Sequence, residues 1–388
     1  MENKISKCVR KIVPSVIRQM SLRAAAYENV ISLGIGEPDF DTPAEICKIA
    51  MREASEGHTH YTASRGYPEL LEELSACIKS RHGIELDESQ LMITHGGMGG
   101  INAFLRTVLE DGQEVLVPEP HFPTYKAQIG FTGAKMVYVP TRFEDDFIVR
   151  PDAVRKALSS KTRALILNSP NNPTGSVIPA DVLDELARIA VDHDLLVLSD
   201  EVYDRMVYGA RHESIYTRPE MARRTVVVNS FSKAYAMTGW RIGYAYGPAW
   251  LIEQMLKVST YTTSCPSSVG QRAALAALRA DGAPFKAMVR EFGERRDLVL
   301  QKLKEIPGVQ VKPTAGSFYI FPYIGKINPD CLQFAIDLLE QEQVVVIPGS
   351  AFGPSGKGFI RLACTVDKNR LAEAMDRLKR FIDRKPGT

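Results

Sequence analysis

The chain has 388 residues, of which 45% are hydrophobic and 24% charged, and its formal net charge is +2. These are ordinary globular values, sufficient for two domains sharing one large core, and the near-neutral balance gives no argument for nucleic acid or a membrane as partner. No apolar run reaches the ~18 residues of a membrane span, and MENKISKCVRKIVPSVIRQM at the start lacks the unbroken apolar stretch of a secretory signal. Six cysteines (Cys8, Cys47, Cys77, Cys265, Cys331, Cys364) are scattered without a CxxC pair and apart from the seven histidines. A reduced, cytoplasmic protein without a metal site is the natural reading.

Residues 1–30 read as an amphipathic arm and helix. ISLGIGEPDFDTP, Ile31–Pro43, follows, where Gly34, Gly36 and Pro38 predict a loop, either a plain turn or one held close to a ligand. Helices are predicted over 44–56 and 67–82, with Pro43 and Pro68 near their starts. HYTASRGYPEL lies between them, and its Tyr61 is on residue type alone a packing residue. Leu91–Glu110, LMITHGGMGGINAFLRTVLE, reads as strand, glycine turn and helix; N–H groups at such a helix start form an anion site that glycine lets a phosphate approach. EVLVPEPHFPTY, Glu114–Tyr125, is a strand ending in a proline-rich turn that presents Phe122, as a core residue or as a ring for stacking on a flat molecule.

Thr162–Gly175, TRALILNSPNNPTG, is a buried strand and a polar turn containing Asn172. A helix follows over VLDELARIAVDHD, and then LLVLSDEVYDRM, Leu195–Met206, a strand apolar on both faces until Asp200. A carboxylate at the C-terminal edge of a parallel strand normally sits in the site crevice, although Asp200 could also cap a helix. Thr225–Val228 is β-branched throughout and predicts another strand. It gives way to a polar turn, Asn229–Ser232, then Lys233, with Gly239 and Gly243 around Trp240 and Arg241. An isolated lysine in such a turn is ordinarily a surface charge. Here Lys233 is placed to form a Schiff base with a carbonyl cofactor whose phosphate Ser230, Ser232 and Arg241 would hold. A helix starts near Pro266, and a long charged helix, 284–306, links onward to residues 307–388. There short strands (VQVKP, SFYIFPYI, VVVIP, GFIRLAC) alternate with helices.

Together, GEPDFDTP, the GGMGG stretch, NPTG, the Asp200–Tyr203 stretch DEVY, SFSKAYAMTGWRIGY and the GFIRLAC strand resemble the fold type I, class I/II aminotransferases that use pyridoxal phosphate, in that family's order from Ile31 to Cys364. The resemblance implies that Lys233 carries the cofactor, Asp200 pairs with its ring nitrogen, and Asn172 and Tyr203 bond its phenolic oxygen. It further implies that Phe122 stacks on the ring, while Gly97, Met98, Ser230, Ser232 and Arg241 hold the phosphate. Tyr61 is then expected to reach a neighbouring subunit's cofactor phosphate in a homodimer with shared active sites. The backbone at Gly36, with Asn172 and Arg361, is expected to hold the substrate; a planar guanidinium grips an α-carboxylate bidentately, as lysine does not.

Strands alternating with helices through 90–245 predict an α/β fold: a large domain with a mostly parallel, doubly wound sheet, plus a small α+β domain. The expected division is 46–284 for the large unit and 1–45 with 285–388 for the small one. The implied reaction is ping-pong transamination, from an L-amino acid to a 2-oxo acid such as 2-oxoglutarate. Met98 and Gly100 depart from many relatives, which carry a hydroxyl or lysine and an alanine there. Met98 and Thr260 stand where strict dicarboxylate enzymes supply a second cation, so the wording points to aromatic or broad specificity. A C–S lyase on the same fold and an aspartate aminotransferase are the alternatives. A DNA-binding regulator is disfavoured, since 1–30 contains no basic extension.

Overall fold

A computed structural model of the protein describes residues 4–384. Its strands in chain order are β1 (Ile31–Ser32), β2 (Leu91–Thr94), β3 (Glu114–Glu119), β4 (Lys135–Pro140), β5 (Thr162–Asn168), β6 (Leu196–Asp200), β7 (Thr225–Ser230), β8 (Gly243–Tyr246), β9 (Tyr319–Ile320), β10 (Val344–Val345), β11 (Ile347–Pro348) and β12 (Ile360–Ala363). The central sheet has seven strands in the order β2-β8-β7-β6-β5-β3-β4. Strand β8 runs antiparallel to both its neighbours, and the other pairs are parallel. The expected mostly parallel, doubly wound α/β sheet is therefore present.

The strands are apolar throughout because both faces are covered, so alternate side chains enter different layers. In β5, Ala164 and Ile166 pack with the helix Gly96–Val108 side of the sheet, while Leu165 and Leu167 pack with the helix Ala180–Asp192 side. A third cluster joins Leu91, Ile93 and Val227 to the helices Ala44–Ser55, Pro68–His82 and Ser268–Arg279. Each of these layers buries several aliphatic side chains at about 1.5–3 kcal/mol apiece. They hold the strand ends rigidly.

A separate cluster gathers Met20, Ile31 and Leu33 with residues of the last ninety positions, around the helices Ala283–Lys304, Cys331–Glu342 and Lys368–Asp383. Phe147, from the loop after β4, joins it. Here β11, β12 and β9 form a small antiparallel sheet, and β1 pairs with β10 in parallel, Ile31 opposite Val344. The N-terminal segment is thus tied to the C-terminal part of the chain. Residues 1–3 and 385–388 of the expected small unit lie outside the described residues.

Three local expectations are corrected. The GGMGG stretch is not a turn: the helix Gly96–Val108 begins directly after β2, and its glycines form its first turn. The reason is close packing, since a Cβ on Gly100 would stand 3.1 Å from Val228 of the sheet. The polar turn at 229–232 is absent as such, because Asn229 and Ser230 complete β7 and Ser232 and Lys233 lie on one helical turn, Phe231–Ala234. VQVKP is no strand and makes only a single bridge, from Gln310 to Tyr323.

Candidate active site

The C-terminal ends of β3, β5, β6 and β7 open toward a cavity of about 500 Å³. The strand order reverses between β3 and β5, so the cavity lies at a topological switch point, where open α/β sheets take ligands. Twelve of the thirteen residues singled out from sequence line it: Gly36, Gly97, Met98, Phe122, Asn172 and Asp200 among them, together with Tyr203, Ser230, Ser232, Lys233, Arg241 and Arg361. Tyr61 does not. It stands 87% exposed on the surface.

Asp200 ends β6, is 3% exposed and takes part in no ion pair among the described residues. Burial pushes its carboxyl up to about 6, against the hydrogen bond donated by the Tyr125 hydroxyl. Asn168, its cross-strand partner on β5, donates from Nδ2 to the Asp200 carbonyl at 3.0 Å and accepts the Asn172 N–H at Oδ1, 2.9 Å. One side chain thereby fixes both strand ends.

Lys233 points into the cavity and donates from Nζ to the Gly36 carbonyl at 2.5 Å. Burial pushes its ammonium down to about 8; the charges of Arg361 and Arg241 act the same way and Glu37 opposes them. Gly36 has no alternative residue: a Cβ there would fall 1.7 Å from the Tyr319 hydroxyl. Tyr319 in turn shares a 3.1 Å hydrogen bond with Tyr203.

Arg361, on β12, is 1% exposed and is the largest fully buried side chain described. It donates to Gly34 O and, at 3.1 Å, to Asn172 Oδ1, and its guanidinium lies over the Tyr319 ring at 4.4 Å and the Phe352 ring at 5.0 Å. No carboxylate pairs with it among the described residues, and its Nε has no partner. A buried, uncompensated guanidinium facing a cavity is an anion site, since leaving the charge unpaired is costly.

The remaining groups cluster at the start of the helix Gly96–Val108. Arg241 adopts a left-handed backbone, φ 55°, and donates to Thr238 O at 2.9 Å. A Cβ on Gly96 would stand 2.8 Å from Arg241 Nη2, so the missing side chain makes the room that the guanidinium uses. Ser230 and Ser232 are linked at 2.9 Å through their hydroxyls. A cation, two hydroxyls and a helix N-terminus form a cradle for a phosphate.

Several residues that line the cavity or support its lining had no sequence signal strong enough to find them. Tyr125 is visible only as an aromatic three positions past Phe122, and Asn168 as the last residue of an apolar strand. Ile17, Ile35 and Glu37 come from the N-terminal segment folding back over the cavity. Thr260 is exposed on the helix Ala249–Thr263 and does not line the cavity of its own chain.

The chain is similar to known proteins over nearly its whole length. Residues 28–378 match the family model described as aminotransferase class I and II. The aromatic-amino-acid aminotransferase 2 of Thermococcus litoralis is 42% identical over 98% of this chain and 99% of its own length. The aspartate aminotransferase of Pyrococcus abyssi is 43% identical over 96% of each chain. A solved structure of the aspartate aminotransferase from Thermus thermophilus with maleate superposes with a TM-score of 0.93, at 35% identity, over 97% of this chain and 99% of that one.

Proposed function

The chain belongs to the class I and II aminotransferases, and from that premise we propose that it moves the amino group of an aromatic or other L-amino acid to a 2-oxo acid such as 2-oxoglutarate, with pyridoxal phosphate as cofactor. The observation that carries this reading is one cavity holding a lysine whose ammonium is pushed down to about 8, a buried acid without a cation and a buried arginine without an acid. Those groups fit pyridoxal phosphate. Asp200 suits its ring nitrogen, Lys233 its aldehyde, and Phe122 a ring face. Asn172 and Tyr203 suit its phenolic oxygen, and Ser230, Ser232, Arg241 and the Gly97–Met98 backbone its phosphate.

When bound, pyridoxal phosphate supplies an aldehyde that captures the amino group and a pyridinium ring that takes up the electron pair left at the α-carbon. The chain's own residues do the rest. Arg361 binds the α-carboxylate and turns the Cα–H bond toward Lys233. Lys233 Nζ, its basicity set by burial beside two cations, takes that proton and gives it back on the far side of the reaction. Tyr319 and the Gly36 backbone close the wall behind the reacting carbon. A cation facing Asp200 favours its ionised carboxyl, against the burial that otherwise pushes it up, and the Tyr125 hydroxyl acts in the same direction as the cation.

The exposed tyrosines Tyr61 and Tyr261 (87% and 92%) support a homodimer in which a second copy covers this face and Tyr61 contacts the neighbour's cofactor phosphate. Thr62 N donating to Cys265 Sγ sets the Tyr61 segment beside the 264–266 turn. Six free thiols support a cytoplasmic setting, and the division of the chain into 46–284 and 1–45 with 285–388 is supported by the largest hydrophobic clusters, which separate along it except at Phe147 and Phe285, while a smaller cluster around Tyr203 and Phe292 bridges the two units. A test of the reaction is to supply L-phenylalanine and 2-oxoglutarate and quantify products. Equimolar phenylpyruvate and glutamate are expected; little turnover there, with rapid release of pyruvate, ammonia and sulfide when L-cysteine is supplied instead, would replace the reading by C–S lysis. Relatives at 39–43% identity named aspartate aminotransferase favour a second reading, in which aspartate is the donor.

A further inference from the structure

Asp200 is one of three buried acids within five residues: Asp200, Glu201 and Asp204 are 3%, 1% and 5% exposed. A buried carboxylate keeps its charge only when it is paired or hydrogen-bonded. Glu201 and Asp204 turn away from the cavity and each finds a basic partner: Arg81 for Asp204, and for Glu201 the imidazole of His212, whose charged form the carboxylate favours. Glu201 accepts from His212 Nε2 at 3.0 Å, from Ser199 Oγ at 2.7 Å and from Ser214 Oγ at 2.6 Å. Asp204 accepts from Arg81 Nη1 at 2.7 Å, with His82 Nε2 at 3.5 Å.

The two pairs meet behind the turn, where the His82 and His212 rings stand perpendicular with centroids 6.4 Å apart. Arg205 is the other cation near this cluster, and it is engaged elsewhere, with Cys77 Sγ at 3.2 Å and over the Tyr235 ring at 4.6 Å. Arg81 and His82 occupy the last turn of the helix Pro68–His82, where cations are favoured by the helix dipole. The turn is also tied by its backbone, Glu201 N donating to Val228 O at 2.9 Å and Asp204 N to Glu201 O at 3.0 Å. Burial opposes ionisation of both acids, but the partners hold both carboxyls below the usual carboxylate range. Of the three acids, only Asp200 faces the cavity and only Asp200 lacks a cation.

We propose that Glu201 and Asp204, through His212 and Arg81, are positioning residues for Asp200: two buried ion pairs that clamp the 200–204 turn so that the Asp200 carboxylate faces the cavity as the one acid left to take a cation from the ligand. This rests on the reading that Asp200 meets the ring nitrogen of pyridoxal phosphate. Neither pair touches the cavity, so an effect on the ligand passes through the lining residues of this turn, Asp200, Val202 and Tyr203, and the share carried by Asp200 is what the cycle below isolates.

A double-mutant cycle separates this from a general role in folding. The affinity of the cofactor-free protein for pyridoxal phosphate is measured by equilibrium dialysis for wild type, Glu201→Gln, Asp200→Asn and the double variant. Glu201→Gln keeps the two serine hydrogen bonds and removes the ion pair. We expect it to weaken binding about tenfold, the effect of one pK unit, in the wild-type background and less than about twofold when Asp200 is already Asn. Equal weakening in both backgrounds, or none in either, overturns the proposal while leaving the role of Asp200 intact. An Asp200→Asn protein that binds as tightly as wild type overturns both. Should Glu201→Gln fail to fold, Asp204→Asn runs the same cycle with the same outcomes.

Discussion

The two halves of the cavity are built on different principles. On the sheet side, Asp200, Asn172, Ser230 and Ser232 sit at or just past the ends of parallel strands and are all nearly buried. On the opposite side, Ile35 is 46% exposed, and Ile17, Ile35 and Glu37 come from an N-terminal segment that crosses over from the other hydrophobic cluster, facing Met98, 39% exposed, at the rim of the cavity on the first turn of the helix Gly96–Val108. The first half is fixed by a core that tolerates little movement. The second is a thin cover whose side chains can change without disturbing the sheet. On the proposed function, reaction type resides in the buried half, and choice of substrate in the exposed one.

Substitutions break this comparison in order of size. Lys233→Ala removes the proposed proton carrier and is expected to lower turnover by at least about 10³-fold, with loss of borohydride fixation of the cofactor; near-normal turnover would end the account. Arg361→Lys keeps the charge but loses the fork and its stacking on Tyr319. A rise of about a hundredfold in KM for the amino donor, with a smaller change in kcat, is expected. Tyr125→Phe removes the hydroxyl donated to Asp200, a bond that favours the ionised carboxyl. The Asp200 carboxyl should then titrate higher, and in cofactor-free protein its NMR midpoint should rise from about 6; a fall would reverse the assigned sign.

A stability measurement sharpens the comparison from the other direction. The Lys233 ammonium is held down to about 8 in the fold, against an ordinary value of 10.5. Below pH 8 the folded protein therefore carries a buried charge that the unfolded chain hydrates freely, and the penalty fades as pH rises from 8 past 10. Lys233→Met should stabilise the cofactor-free protein by about 2 kcal/mol at pH 7, allowing for partial exposure, with the gain vanishing above about pH 10. Denaturant unfolding at both pH values checks it. The smallest expected effect lies in the exposed half, where Met98→Lys should raise kcat/KM for aspartate about tenfold and leave phenylalanine within about threefold.

The buried half was also the legible half. Asp200, Asn172 and Lys233 could be placed from sequence because each follows an unbroken apolar strand, and the strand's end fixes where the next polar residue points. Tyr125 and Asn168 were not legible, since their roles depend on which strands are neighbours: β5 beside β6, Asn168 opposite Asp200. The glycine stretch at 96–100 was misread as a turn because glycine serves both turns and close helix–sheet contact, and only the 3.1 Å approach to Val228 decides between them. VQVKP has the alternation of a strand but no partner beyond one bridge. Arg361 was legible as an arginine without a local acid; that the whole fold supplies none among the described residues is a tertiary fact.

The central claim, that a fixed chemical half works beneath a cover suited to uncharged side chains, is tested most directly by single-turnover half-reactions. Pyridoxal phosphate–loaded enzyme is mixed separately with L-phenylalanine, L-tyrosine and L-aspartate, and the change in cofactor absorption is followed. The account predicts complete conversion by all three donors, with the aromatic acids converting at least as fast as aspartate at equal concentration. Aspartate outpacing both by orders of magnitude would contradict the reading of Met98 and the cover, and no conversion by any donor would contradict transamination itself.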